Sequence, residues 1–463
     1  MIALLRRPVS ALGFLLVISA LSLILLDRPL IRGDGVAYLA WVDTFVLDGD
    51  VNFNNQFERF LPVNTYQITW NHNTQRWVNI FPFGAAFLQA PFYRAADIVF
   101  QQGWLNPNPD YFRQMQGVEL PYSLMIMAGA NLMALVMLAL AWDIARLFVS
   151  PWLAALLIYA LFTGTPLFFY SSVEPLNSHN PGAFAFTVFV YLLIRLTGAF
   201  TTRPPLTSIG WWVLLGISAG LTVLSRWQLL VAVAPAWLLL VVERKWRGAL
   251  IAGVAAAITL LPLPLVWGEM FGRPFVIPYN EVTGEAFLQT TTNEFLNVLR
   301  VTWGYSPITL LIVPGLLLLA RLSATGRRWA LLLGLMFAAQ LFVNGAALDW
   351  NAGYSFGARR MTELFPVYVI ASAAVFGWVE QLTRNQAALR GLVYLLPLLL
   401  IGFNWLYLLS FFSYIWTNEL SWLGDTSPLN VIQYWLNQPN RFEVIRIIFT
   451  THLGPNAWTH PSP

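Results

Sequence analysis

The chain has 463 residues, of which 57% are apolar and only 10% charged, with a mean hydropathy of +0.61. Soluble domains are nearer ~45–50% apolar, and here the apolar residues fall in runs of the ~20 that cross a bilayer as a helix, so a soluble protein is excluded. The net charge of +4 comes from 26 basic and 22 acidic side chains scattered between those runs, which provides no basic helix or groove for nucleic acid, while the lack of cysteine excludes disulfides, thiolate nucleophiles and thiolate metal sites.

Arg6 and Arg7 precede an apolar run over 11–27, expected to be an uncleaved first span with its N-terminus in the cytoplasm. Further runs predict spans at 121–148, 152–171, 181–198, 209–225, 227–243, 249–267, 307–321, 329–347, 362–380 and 391–413, about eleven helices in all. With that orientation the cytoplasmic links carry Arg195 and Arg203, then Arg244, Lys245 and Arg247. Arg321, Arg327 and Arg328, and finally Arg384 and Arg390, follow on the same side, with Arg146 beside the tight turn at Ser150. This is the inward bias of basic residues that membrane insertion imposes. The loops 28–120, 268–306 and 348–361 then lie outside, so that residues 1–413 form a membrane domain and 414–463 a short external tail. Within the first loop, Val36–Leu47 and Phe83–Phe100 predict helices lying along the membrane surface or dipping into it. Asn106-Pro107-Asn108-Pro109 is a turn-rich break before the second span.

The segment 33–60 gathers Asp34, Asp43, Asp48, Asp50 and Glu58 just beyond the first span, where water reaches them and a lipid-linked substrate can be met. Asp34, between Gly33 and Gly35, suits a general base and equally an N-cap for the helix that follows. Asp48-Gly49-Asp50 has the D-x-D form that binds divalent cations in some sugar-transferring enzymes, and a tight turn explains it as well. Glu174 and His179 stand five residues apart in the link between the third and fourth spans. Glu174 could share acid–base work and His179 could hydrogen-bond a phosphate or an acceptor; turn and capping roles account for Asn177 and Ser178 but not for His179. Arg226, in VLSRWQLL, is either a phosphate grip or an arginine in an exposed hairpin. In WNAGYSFGARR (350–360), Gly353, Gly357, Tyr354 and Phe356 indicate a specifically shaped loop. Arg359 and Arg360, on the outer side against the general bias, suit an anion site beside a helix N-terminus, with Tyr354 close in sequence; a topological loop with incidental charge is the alternative. No phosphate-binding glycine loop, dinucleotide fingerprint or H-E-x-x-H motif occurs, so nucleotide-driven catalysis is unsupported.

A first span followed by an external loop that opens on Asp34 resembles the GT-C class of membrane glycosyltransferases, which includes the protein O-mannosyltransferases and the aminoarabinose transferase of lipid A. NIFPFGAAFLQAPFY (79–93) looks like a segment common in bacterial members. EPLNSHNPG, LTVLSRWQLLVAVAP and WNAGYSFGARRMTELFP are similar to recurrent segments of one bacterial branch. The resemblance implies an all-α polytopic GT-C-like bundle in a bacterial inner membrane, with an extracytoplasmic active site. It implies a sugar donor on polyprenyl phosphate, or diphosphate, and inverting transfer to a lipid, glycan or protein acceptor. Asp34 would be the base, Glu174 the second-loop carboxylate, and Arg226, Arg359 and His179 the phosphate contacts. No cofactor is implied, with a divalent ion at Asp48 and Asp50 as the variant. The chain departs from the mannosyltransferases at Gly35, where they carry a second acid, and lacks their large soluble insert.

The competing expectation is a transporter or lipid flippase, which would place ionisable groups at mid-bilayer on discontinuous, internally symmetric helices. Pro235, Pro262 and Pro264 could break helices, but no carboxylate or lysine accompanies them at that depth. A scaffold without chemistry is the third reading, and the acidic first loop and outer arginines weigh against it.

Overall fold

In lipid a backbone has no water to bond to, so long uncharged runs must close their hydrogen bonds internally as helices. A computed structural model describes residues 8–27, 33–60, 68–101, 120–289, 294–350, 356–417 and 428–437, with Phe442 and Arg446. Arg6, Arg7, the 106–109 break and most of the expected tail lie outside the described residues. The chain runs from α1 (Pro8–Leu26) through the first loop, with α2 (Asp34–Asp43), α3 (Asn54–Phe60), the strands β1 (Ile68–Asn71) and β2 (Arg76–Asn79), and α4 (Gly84–Gln101). There follow α5 (Leu120–Ala145), α6 (Pro151–Thr163), α7 (Leu167–Ser172), α8 (His179–Thr197), α9 (Ile209–Ser225), α10 (Leu230–Val233) and α11 (Pro235–Val242). The second half holds α12 (Trp246–Leu260), α13 (Pro262–Phe271), α14 (Pro278–Thr283), α15 (Phe295–Tyr305), α16 (Ile312–Leu322) and α17 (Ala324–Gly345). It ends with α18 (Phe365–Leu382), α19 (Ala387–Thr417) and α20 (Pro428–Asn437).

The architecture is an all-α polytopic bundle that holds, among the described residues, one short antiparallel hairpin, β1–β2. All eleven apolar runs are helical, but among the described residues seven helices have the length and hydropathy of a membrane span. An eighth is gained only by joining α15 to Pro307–Leu322, which meet at 115°. The runs at 152–171, 209–225 and 227–243 give helices too short for the same test. The reason is local. Gly164-Thr165-Pro166 separates α6 from α7, Arg226 ends α9 in an extended conformation, and α11 begins at Pro235. Apolar composition records compatibility with lipid, whereas helix length also needs an uninterrupted backbone ladder.

Helix α8 and the helical stretch from Arg359 through α18 are the most enclosed spans, while α1, α19 and the pair α12–α13 form the rim. Along that rim Leu250, Val254, Ile258, Leu261 and Leu265 are exposed, as lipid-facing residues should be. Links expected on one side of the membrane contact one another. Arg203 and Arg146 both pair with Asp143, at 3.1 and 2.8 Å, and the Ser150 amide donates to Glu380 Oε2 at 2.9 Å.

The first loop is a small core in its own right. Trp41 is buried edge-on to Phe53 at 4.7 Å and beside Phe83 at 5.3 Å, and its indole N–H donates to the Phe81 carbonyl at 2.9 Å. Asn79, at the end of β2, donates to the Ala37 carbonyl at 2.8 Å. Helix α4 is amphipathic as expected, burying Ala86, Gln89, Tyr93 and Ala96 while Phe87 and Ile98 face outward. Helix α2 departs from the expected surface helix, since every residue from Ala37 to Asp43 is buried. Its surroundings are protein on all sides, which holds its first residue, Asp34, in one place.

Gly84 joins this core to the membrane helices. A Cβ there would sit 2.3 Å from the backbone of Leu224 and Ser225, the residues just before Arg226. Backbone atoms cannot swing aside as a flexible side chain can, so overpacking of about 1–3 kcal/mol is expected. Gly84→Ala should lower the thermal midpoint of the detergent-solubilised protein, whereas Gly210→Ala, with open space around it, should leave the midpoint unchanged or slightly raised.

Candidate active site

Two carboxylate–guanidinium pairs join segments far apart in the sequence at one end of the bundle. Arg359 Nη1 donates to Asp34 Oδ2 at 2.6 Å, with side-chain exposures of 18% and 15%. Arg226 Nε approaches Glu363 Oε1 at 3.2 Å, and Glu363 is fully buried. The same Glu363 oxygen lies 2.7 Å from His179 Nδ1.

Local backbone explains each placement. Gly33 has φ +57° and ψ −134°, a conformation strained for any side chain, and makes the turn into α2. No side-chain cap closes that helix end, and Asp34 is its first residue. The capping alternative for Asp34 therefore gives way to the ion pair. Arg226 occupies the extended break between α9 and the 3-10 turn Trp227–Leu229, only 11% exposed at its side chain, so the exposed-hairpin reading fails. Arg359 and Glu363 share the 3-10 turn Arg359–Leu364 that leads into α18. That turn is anchored by Phe356, stacked on Phe169 at 4.8 Å and edge-on to Phe411 at 4.7 Å.

Arg226 is held from every direction. Its Nη1 donates to Ser178 Oγ at 3.2 Å and to His179 Nε2 at 3.4 Å. With its amide turned to satisfy both atoms, Gln228 accepts from Nε and Nη2 at 2.8 Å. Because a guanidinium only donates, His179 Nε2 must accept, which leaves the imidazole proton on Nδ1 to bond Glu363. The ring of His179 is wholly buried and packs on Tyr170 with centroids 4.6 Å apart. Direct contact between His179 and a phosphate, the expectation from sequence, is replaced by support of Arg226.

The other expected residues divide. Glu174 lies in the turn ahead of α8, close enough that both Arg359 and Tyr170 feel its charge. Arg360 points elsewhere, pairing with Asp349 and lying over the Phe287 ring at 5.5 Å. Tyr354 lies outside the described residues. Asp48 accepts from Asn55 at 2.8 Å and from Gln56, and Asp50 accepts from Thr44 Oγ1 at 2.8 Å and the Asn52 amide at 3.0 Å, so both carboxylates are engaged within their own loop. Among the described residues no three His, Asp or Glu side chains are grouped to hold one metal ion.

Sequence reading missed Glu363, Ser178 and Tyr38. An ionisable residue at the edge of an apolar run is itself a signal, and the reasoning that singled out Arg226 applies to Glu363 too. Tyr38 is buried one turn beyond Asp34, and its hydroxyl accepts from Ser178 Oγ at 2.8 Å. Burial pushes the Tyr38 phenol up to about 12, with Arg226 opposing and Asp34 adding to the rise, so it remains a neutral donor at physiological pH.

The fold is that of known proteins. The apo structure of ArnT from Cupriavidus metallidurans matches 98% of this chain and 78% of its own at 14% identity, with a TM-score of 0.51. The Archaeoglobus fulgidus oligosaccharyltransferase in complex with Zn and sulfate matches 97% of this chain and 57% of its own at 14% identity, with a TM-score of 0.50. ArnT bound to undecaprenyl phosphate matches at 15% identity and a TM-score of 0.48, over 97% of this chain and 78% of its own. Both proteins are GT-C membrane glycosyltransferases, and the chain has the GT-C fold. No protein-family model and no curated protein sequence matches it.

The Asp34–Arg359 pair carries a direct test. Removing either partner takes a countercharge away from a largely buried group. Asp34→Ala and Arg359→Ala should each lower the thermal midpoint, and the double variant should lose about 1–3 kcal/mol less than the sum. Strict additivity in that cycle would show that the two side chains do not interact.

Proposed function

We propose that the protein is a membrane glycosyltransferase that moves a sugar from a polyprenyl-phosphate carrier to an extracytoplasmic acceptor hydroxyl with inversion. The observation that carries this reading is the Asp34–Arg359 pair, a carboxylate and a guanidinium 325 residues apart in sequence meeting at 2.6 Å. Arg359 also feels the charge of Glu174, and the buried Tyr38 phenol feels Arg226 together with Asp34 and Arg359. The GT-C fold supports the transferase class, and the ArnT that shares the fold has been crystallised with undecaprenyl phosphate.

A polyprenyl tail must stay in lipid while its phosphate and sugar meet a polar partner, so the reacting atoms are confined to the membrane boundary. In the proposed reaction the acceptor oxygen attacks the anomeric carbon as Asp34 takes its proton. The bond from that carbon to the phosphate oxygen breaks, and the phosphate leaves with the electron pair. In the resting state Arg359 occupies Asp34; the donor phosphate competes for that guanidinium, which frees the carboxylate as it neutralises the leaving group. Glu174 tunes the same guanidinium, and Arg226 adds positive potential from beneath. Each of the acid–base and electrostatic contributions is worth roughly 100–1,000-fold in rate.

Asp34→Asn should reduce transfer from a radiolabelled polyprenyl-phosphate sugar by roughly 100-fold or more while the protein stays folded. Full transfer by that variant would reject Asp34 as the base. Orientation has a separate test, since the chain contains no cysteine. His72→Cys, in the exposed turn of the β1–β2 hairpin, supplies a single thiol. A membrane-impermeant maleimide added to intact cells or spheroplasts should label it, and labelling only after lysis would put the proposed site on the wrong side.

A further inference from the structure

Hydrogen bonds around Arg226 have a compulsory direction. A guanidinium has five N–H donors and no acceptor. Ser178 Oγ must therefore accept from Arg226 Nη1, and its own single proton goes to the Tyr38 oxygen at 2.8 Å. The phenol oxygen receives that bond, so its proton has to point elsewhere. Among the described residues no hydrogen bond takes up the Tyr38 proton, although the side chain is 2% exposed. Buried hydroxyl protons are ordinarily bonded. Beyond the network itself, the charges this phenol feels are those of Asp34 and Arg359.

The opposite arm keeps the relay from rotating. Arg226 is tied through Nε to Glu363, and His179 bridges Arg226 Nη1 and Glu363 Oε1. The guanidinium is thus fixed on one side by an anion and donates on the other through Ser178 to Tyr38. Aligned donors polarise one another, so the terminal hydroxyl is a better donor than an isolated phenol.

We propose that Tyr38 is a further substrate-binding residue, offering its proton to the phosphate of the lipid-linked donor, and that Ser178 is the positioning residue that keeps this proton directed at the site. The assignment rests on the transferase reading above. It gives Arg226 an indirect part in phosphate binding, delivered through two hydroxyls.

The test is binding of a polyprenyl phosphate without sugar to the full-length protein in nanodiscs, with the thermal midpoint of each variant measured alongside. Tyr38→Phe should weaken binding roughly tenfold or more, the value of a hydrogen bond to a charged oxygen. Ser178→Ala should weaken it less, and the double variant should bind no worse than Tyr38→Phe alone. Wild-type affinity in Tyr38→Phe overturns the proposal, as do losses that add in the double variant. If Tyr38→Phe melts, Ser178→Ala decides, and unchanged affinity in it also overturns the proposal. A wild-type protein that binds no polyprenyl phosphate at all removes the transferase reading itself, and Tyr38 with it.

Discussion

A guanidinium group in apolar surroundings must find an anion or a full set of acceptors, because desolvation otherwise costs several kcal/mol. Two such groups organise this molecule. Arg226 draws together Glu363, His179, Ser178 and Gln228, and Arg359 draws in Asp34. Through them the first loop, the link before α8, the α9–α10 break and the turn before α18 are tied at one end of the bundle. Three helix entries and one helix break converge because charge placed at their ends has only these solutions.

The aromatic core of the first loop serves that geometry. Trp41, Phe53 and Phe83 bury α2 instead of leaving it on a lipid surface, and Gly84 lets α4 lie against the backbone of Leu224 and Ser225. Asp34 at the head of α2 and Arg226 just past Ser225 are therefore positioned by one packed unit. A helix lying in the interface would leave Asp34 freer to move, which suits neither a base nor a partner for Arg359. The stacking of Phe356 on Phe169 does the same for the opposite side of the site.

The proposed chemistry and the hydrogen-bond relay depend on this rigidity in different ways. Asp34 must be released by Arg359 before it can act, so that pair is the movable element, with both side chains still partly exposed. The pair of Arg226 and Glu363 is enclosed and cross-linked, which suits a fixed source of potential. One guanidinium is available to exchange partners, and the other holds direction.

Much was legible in the amino-acid order. Asp34, Arg226 and Arg359 stand out because a charge in a chain this apolar needs a reason, and every apolar run is helical. The missed residues were hidden for physical reasons. Serine and tyrosine carry no signal until a partner is known, and Glu363 looked like the edge of a span until Arg226 and His179 came to it from other helices. His179 needed an explanation in the sequence, and only its burial and its contacts with Arg226 and Glu363 assign it to supporting Arg226. By itself the sequence determined a membrane-embedded helical chain and which few charges had to be satisfied, since both follow from the cost of moving each side chain between water and lipid. Tertiary structure alone decided which charge answers which, where apolar runs break, and how each hydrogen bond is directed, because those depend on distances between segments that local composition does not encode.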